Sequence, residues 1–214
     1  MEKRKISILG DSISTFTGYT PEEAVFYDSY VQWETGVKSV EDTWWMQVIK
    51  ALDGELGTNH SLAGSMVSGN LSTSAMSYER IEKLGTNGIP DIILISAGCN
   101  DWGFCVLPEE FEEAYRTMLH RIKEQYPHAD IYCATLPEGK QTRGETFFNI
   151  DSTISKRVYS DIIRENAQKA QVYIADLANV QEEYETVDGV HPNKAGMHTL
   201  ARMWIREMKK FICK

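Results

Sequence analysis

Apolar runs of strand length recur along the chain at Lys5–Leu9, Asp91–Ser96 and Asp130–Thr135, with weaker ones near Glu55–Asn59 and Gln171–Ala175. Short runs of consecutive apolar residues predict strands buried on both faces of a parallel sheet. Between them the apolar positions shift to helical spacing. Asp42 or Thr43 can cap a helix carrying Trp45, Val48, Ile49 and Leu52. Leu71, Ala75, Tyr78, Ile81 and Leu84 share a helical face, with Gly85 as the stop. Pro108-Glu109-Glu110 opens a helix through Phe111, Tyr115, Met118 and Ile122, with proline first and acids at the positive end. Asp151 can cap Ile154, Val158 and Ile162, and a last helix after Pro192 carries Leu200, Trp204, Met208 and Phe211. Strands alternating with helices predict right-handed crossovers in a three-layer α/β fold. Ligand sites in such folds lie at the carboxyl ends of the strands.

Two connections are long. Ile13 to Glu41 holds Phe16, Tyr19, Tyr27, Tyr30 and Trp33, and Pro137 to Ile150 follows the Asp130 strand. Long loops at strand ends are functional or disordered, and the aromatics argue against disorder in the first. It can form a wall or lid over a pocket, or it can pack against the first helix or another subunit.

The chain has 214 residues, which predicts one domain over 1–214 with room for a sizeable core. It has no internal repeat, low-complexity tract or linker-like composition shift. Its net charge of −9 gives a nucleic acid or an anionic membrane no electrostatic support. The four cysteines, Cys99, Cys105, Cys133 and Cys213, form no CxxC pair, so reduced thiols and a cytoplasmic location are expected. The apolar run behind the basic Met1–Lys5 segment is too short for a signal segment or a membrane span. No membrane insertion is expected, and a homo-oligomer stays open.

Three short stretches carry candidate chemistry. Gly10-Asp11-Ser12 follows the first apolar run, where a tight turn would bring the serine hydroxyl to the sheet's edge; alternatively Asp11 or Ser12 is a cap. Gly98-Cys99-Asn100-Asp101 follows the third strand. It is either an ordinary turn or a place from which the Asn100 amide donates into the crevice beside Ser12. Asp188-Gly189-Val190-His191-Pro192 stands near the C-terminus. There Asp188 can accept the Nδ1–H of His191 and leave Nε2 as a base, or the stretch is a capped loop with an exposed histidine. Together the three supply nucleophile, base, orienter and oxyanion donor, the set that acyl transfer to a serine requires.

Those residues resemble the first, third and fifth blocks of the SGNH hydrolases, the GDSL-type esterases and lipases. Gly64, in Asn59-His60-Ser61-Leu62-Ala63-Gly64-Ser65, stands at the glycine of the second block. The resemblance implies a five-stranded parallel sheet between helices, flavodoxin-like in topology. It implies Ser12 as nucleophile, His191 as general base and acid, and Asp188 as its partner. It also implies an oxyanion hole made by the N–H groups of Ser12 and Gly64 and the side chain of Asn100. No cofactor or metal is implied. The expected activity is a serine esterase acting through an acyl-enzyme on a short-chain ester, with an acetylated carbohydrate as one substrate class.

Two other functions compete. A metal-dependent phosphoesterase would use Asp11, Asn100 and His191, but Ile13 stands where a second ligand would follow Asp11. A non-catalytic module binding a sugar or peptide would have no use for a serine–histidine–aspartate set. His60, His120, His128 and His198 lack a carboxylate at comparable spacing and are expected at the surface or in structural roles. Cys99 is expected as a small buried residue and Trp44-Trp45 as core.

Overall fold

The computed structural model describes residues 3–141 and 154–212. In chain order the elements are β1 (Lys5–Gly10), α1 (Ser29–Thr35), α2 (Trp44–Ala51), β2 (Glu55–Asn59), α3 (Tyr78–Lys83) and β3 (Ile92–Ser96). There follow α4 (Cys99–Gly103), α5 (Pro108–Gln125), β4 (Asp130–Ala134), β5 (Gly139–Gln141), α6 (Lys156–Ala170), β6 (Tyr173–Ala175), β7 (Tyr184–Thr186) and α7 (Lys194–Ile212). One parallel sheet has the order β2-β1-β3-β4-β6, and β5 pairs with β7 in a separate parallel ribbon. The five expected strands are all present, and the order is that of a doubly wound sheet with its switch point between β1 and β3.

Alternation along the strands divides the core. Ile92 and Leu94 face one side with Ile6, Ile8, Tyr132 and Ala134, against Trp44, Val48, Leu200 and Trp204 of α2 and α7. Ile93 and Ile95 face the other with Leu9, Ile131 and Cys133, against Ile81, Phe111, Tyr115, Met118 and Ile163 of α3, α5 and α6. Successive side chains of a strand point to opposite faces, so runs with no polar interruption are what a sheet covered on both faces needs.

Helix starts follow local capping chemistry. Thr43 caps α2 by accepting from Met46 N, and Pro108 begins α5 with Glu109 and Glu110 in its first turn. Trp44 and Trp45 are buried, as expected, and Trp44 stacks on Trp204 with centroids 5.0 Å apart. The helix expected from Leu71 is shorter: it starts only after Ser77, which caps it through Arg80 N, and Leu71 is exposed. Ser155 caps α6, and the expected cap Asp151 lies outside the described residues, as does much of the Pro137–Ile150 connection. Among the described residues no helix is long and apolar enough to cross a membrane.

The Ile13–Glu41 connection carries α1 and packs inward. Phe16, Tyr27 and Val37 are in the core with α2 and α7, while Tyr30 and Trp33, one turn apart on α1, are 68% and 75% exposed.

Candidate active site

β1 ends at Gly10, and the chain turns at once. The Asp11 side chain accepts from Ile13 N at 3.1 Å and starts a single 3-10 turn over Ser12–Ser14. A cap on so short a turn fixes the serine at the strand's carboxyl end, so Asp11 caps while Ser12 presents its hydroxyl. Both alternatives weighed for this stretch therefore hold together.

The Asp188–His191 stretch follows β7. Gly189 has φ +91, a value that favours glycine, and its N–H donates to Thr186 Oγ1 at 2.8 Å. Asp188 Oδ1 accepts the backbone N–H groups of Val190 (3.0 Å) and His191 (2.7 Å). Its Oδ2 lies 2.6 Å from Nδ1 of His191, and Nε2 lies 2.8 Å from Ser12 Oγ. A carboxylate on Nδ1 fixes the proton there, so Nε2 is the acceptor for the serine hydroxyl. Ser12 and the Asp188–His191 pair, distant in sequence, thus form one chain of hydrogen bonds, and all three residues are buried. Burial pushes the Asp188 carboxyl up, but the hydrogen bond and charge of His191 and the two backbone N–H groups outweigh it. They hold Asp188 below the ordinary carboxylate value, ionised.

The oxyanion candidates gather beside this chain. Gly64 takes φ +75, a conformation for which glycine is suited, and no heavy atom lies within 4 Å of where a Cβ would stand. Among the described residues the N–H groups of Ser12 and Gly64 meet no acceptor. Asn100, at the start of α4, donates one amide hydrogen to Ser65 O at 2.8 Å, which leaves its second N–H available.

Three residues to which the sequence assigned no role of their own hold these parts in register. Arg80 is fully buried, and its guanidinium donates to Gly10 O (2.7 Å), His60 O (2.7 Å), Ser65 Oγ (2.9 Å) and Thr73 O (3.0 Å). One planar fork therefore joins the end of β1 to the loop that carries Gly64. Burial lowers the Arg80 pKa to about 10, with the charge of Asp11 opposing, so it remains a cation at neutral pH. Asp101 accepts from Val67 N (2.8 Å) and Ser68 N (2.9 Å) and fixes the far end of the same loop. Phe26 stacks on His191. On its own helix no acid stands three or four residues from Arg80, so pairing within the helix was closed to it. Nothing in the sequence around Phe26 marks it.

Asp11 is buried, and desolvation raises its pKa to about 6 against the backbone N–H of Ile13 and the attraction of His191 and Arg80. Asp11 Oδ1 accepts the cap hydrogen bond from Ile13 N and Asn100 donates to Ser65 O, so both take part in turn structure. Among the described residues no group of three or more His, Cys, Asp or Glu side chains is placed to hold a metal ion. His198 pairs with Gln47 at the surface, and His60 is half-buried beside Arg80, with burial the main cause of its lowered pKa of about 4. Cys99 is half-buried in the structure, and burial pushes its thiol up to about 12, so it is no thiolate.

The model of the GDSL-like lipase/acylhydrolase family matches residues 4–208. The chain belongs to that family. A multidomain esterase of Ruminococcus flavefaciens is 28% identical over 129 residues, 58% of this chain and 16% of the relative. An uncharacterized esterase of Bacillus subtilis is 32% identical over 114 residues, 47% of this chain and 28% of the relative. The chain therefore matches only a minor part of these longer proteins. A solved structure designated a GDSL-like lipase, from Bacteroides ovatus, superposes with a TM-score of 0.73 at 23% identity, covering 98% of this chain and 100% of that one. That likeness bears on the fold, and the five-stranded order β2-β1-β3-β4-β6 is the family's α/β architecture.

Proposed function

We propose that this GDSL-family chain is a serine esterase that works through an acyl-enzyme at Ser12. The observation that carries the reading is the unbroken line from Asp188 through His191 to Ser12, at 2.6 and 2.8 Å. His191 Nε2 takes the proton from Ser12 Oγ as Oγ bonds the ester carbonyl carbon. The carbonyl electron pair moves to oxygen, where the N–H groups of Ser12 and Gly64 and the free Asn100 N–H receive the charge. The imidazolium then gives its proton to the leaving alkoxide, and an acyl group remains on Ser12. Water repeats the sequence with His191 as base and releases the acid. Asp188 stays ionised and holds the imidazole in the tautomer that this needs.

The substrate proposed is a short-chain ester, with an acetylated carbohydrate as one candidate. The support is the make-up of the Ile13–Glu41 connection, where the exposed Tyr19, Tyr30 and Trp33 are interleaved with Glu22, Glu23, Asp28, Gln32 and Glu34. A long acyl chain needs a continuous apolar lining, and polar interruptions offset the gain from each buried CH₂.

The experiment is a serine-directed organophosphate followed by mass mapping, with turnover of p-nitrophenyl acetate alongside. One adduct at Ser12 and loss of activity in both Ser12→Ala and His191→Ala are expected. The double variant should be little worse than either single one, because such residues act as a unit. Substantial turnover by Ser12→Ala would end the serine reading.

A further inference from the structure

The ring of Phe26 lies against the face of the His191 imidazole, with centroids 3.6 Å apart and planes within 11°. Its position is fixed from both sides of the site. Phe26 N donates to Thr15 Oγ1 at 2.9 Å, and that hydroxyl donates to Ser12 O at 2.9 Å, so the ring is tied to the serine turn. The next residue, Tyr27, packs edge-on against Phe26 and donates its buried hydroxyl to Pro192 O at 2.8 Å, one residue beyond His191. Burial first, then neighbouring ionisable groups, keeps that phenol protonated and able to donate. Ser12, Thr15, Phe26 and His191 thereby form a closed circuit of contacts.

The geometry discriminates between the two charge states of the imidazole. Two neutral aromatic rings in a direct face-to-face sandwich are disfavoured, because their electron-rich faces oppose each other. A cation over the same face is attracted to it. We propose that Phe26 is a positioning residue whose ring face favours His191 as imidazolium. This rests on the serine mechanism above, in which the proton leaving Ser12 Oγ arrives on Nε2. An interaction stronger in the charged state than in the resting state lowers the barrier rather than merely aiding substrate binding. Asp188 acts on His191 at its Nδ1 edge, and Asp11 acts through the buried interior. Phe26 acts on the face that neither occupies, and it accounts for a function of the long Ile13–Glu41 connection.

The test places leucine, tyrosine and pentafluorophenylalanine at position 26 and measures kcat and KM on p-nitrophenyl acetate, with Ser12→Ala in the same assay. Pentafluorophenylalanine keeps the ring's shape and reverses the charge of its face, so folding is preserved while the attraction is removed. Phe26→Leu and the fluorinated variant should each lose about 3- to 30-fold in kcat, with KM changed less than about twofold, and Phe26→Tyr should stay within about twofold of wild type. Unchanged kcat in the fluorinated variant, a loss confined to KM, or an equal loss in Phe26→Tyr would overturn the proposal. Turnover persisting in Ser12→Ala would instead indict the serine mechanism on which it rests.

Discussion

The Asn100 side chain and the Ser65 carbonyl are joined by a 2.8 Å hydrogen bond, which ties the turn after β3 to the loop after β2. Asn100 thus has a structural partner on one amide hydrogen and an open N–H on the other. Asn100→Ala is expected to lower kcat by about 10²–10³, the range for loss of one oxyanion donor, with a much smaller change in KM. If kcat is unchanged in a steady-state assay, Asn100 serves the turn alone.

Arg80 offers its donors to four acceptors of the interior. A lysine ammonium keeps the charge but has three donors and no fork, so at least one buried acceptor is left unpaired. Arg80→Lys should cost about 1–3 kcal/mol of stability in urea unfolding. Because Gly10 and Ser65 flank the serine and the glycine of the hole, activity should fall at temperatures where the variant is still folded. A folded, fully active variant would reduce Arg80 to a core residue.

Asp11 carries a pH signature in stability. Its pKa is raised to about 6, chiefly by burial, so the folded state holds this proton more tightly than the unfolded chain does. The contribution is therefore present below the ordinary carboxylate range and is lost as pH rises through about 6. A shift from 3.8 to about 6 corresponds to about 3 kcal/mol. Asp11→Asn keeps an acceptor for Ile13 N and removes the charge. The Tm advantage of the variant over wild type should grow between pH 4 and pH 7.5. A pH-independent difference would show that Asp11 does not titrate in that range.

Chelation separates the serine mechanism from a metal-dependent phosphoesterase. Incubation with EDTA followed by desalting is expected to leave ester hydrolysis intact. Loss of turnover that a divalent ion restores would favour the metal reading.

Acyl length is testable with p-nitrophenyl esters from acetate to palmitate, compared by kcat/KM. The expected maximum is at the short end, since each additional CH₂ needs about 0.8 kcal/mol worth of apolar lining to be favoured. A maximum at octanoate or longer would mean that an apolar channel forms when substrate binds.

The strands, the sheet class and the candidate residues Ser12, Asn100, Asp188 and His191 were legible in the chain itself. Their signals are local: uninterrupted apolar runs announce a sheet covered on both faces, and a glycine beside a polar residue at a strand end announces a tight turn. One expectation drawn from spacing alone did not hold. Leu71 and Ala75 share a helical period with Ile81, yet the helix waits for a side chain that can cap it, Ser77. For the Ile13–Glu41 connection the chain left a wall over a pocket and inward packing both open; Tyr27 is fully buried, and its hydroxyl donates to Pro192 O.

Tertiary structure alone decided what lies between the motifs. Hydrogen-bond chains such as Ser12–His191 and Thr15–Phe26 depend on residues 179 and 11 positions apart meeting within 3 Å. Such meetings are set by how the elements pack, and no periodicity along the chain encodes them. The same holds for Arg80, whose acceptors are backbone carbonyls and a hydroxyl from the end of β1 and the loop after β2. A carbonyl is present at every residue, so the sequence cannot mark which ones a buried guanidinium will find. What the chain does specify is that the charge must be satisfied inside; the fold chooses the partners, because leaving them unpaired would cost more than ordering them.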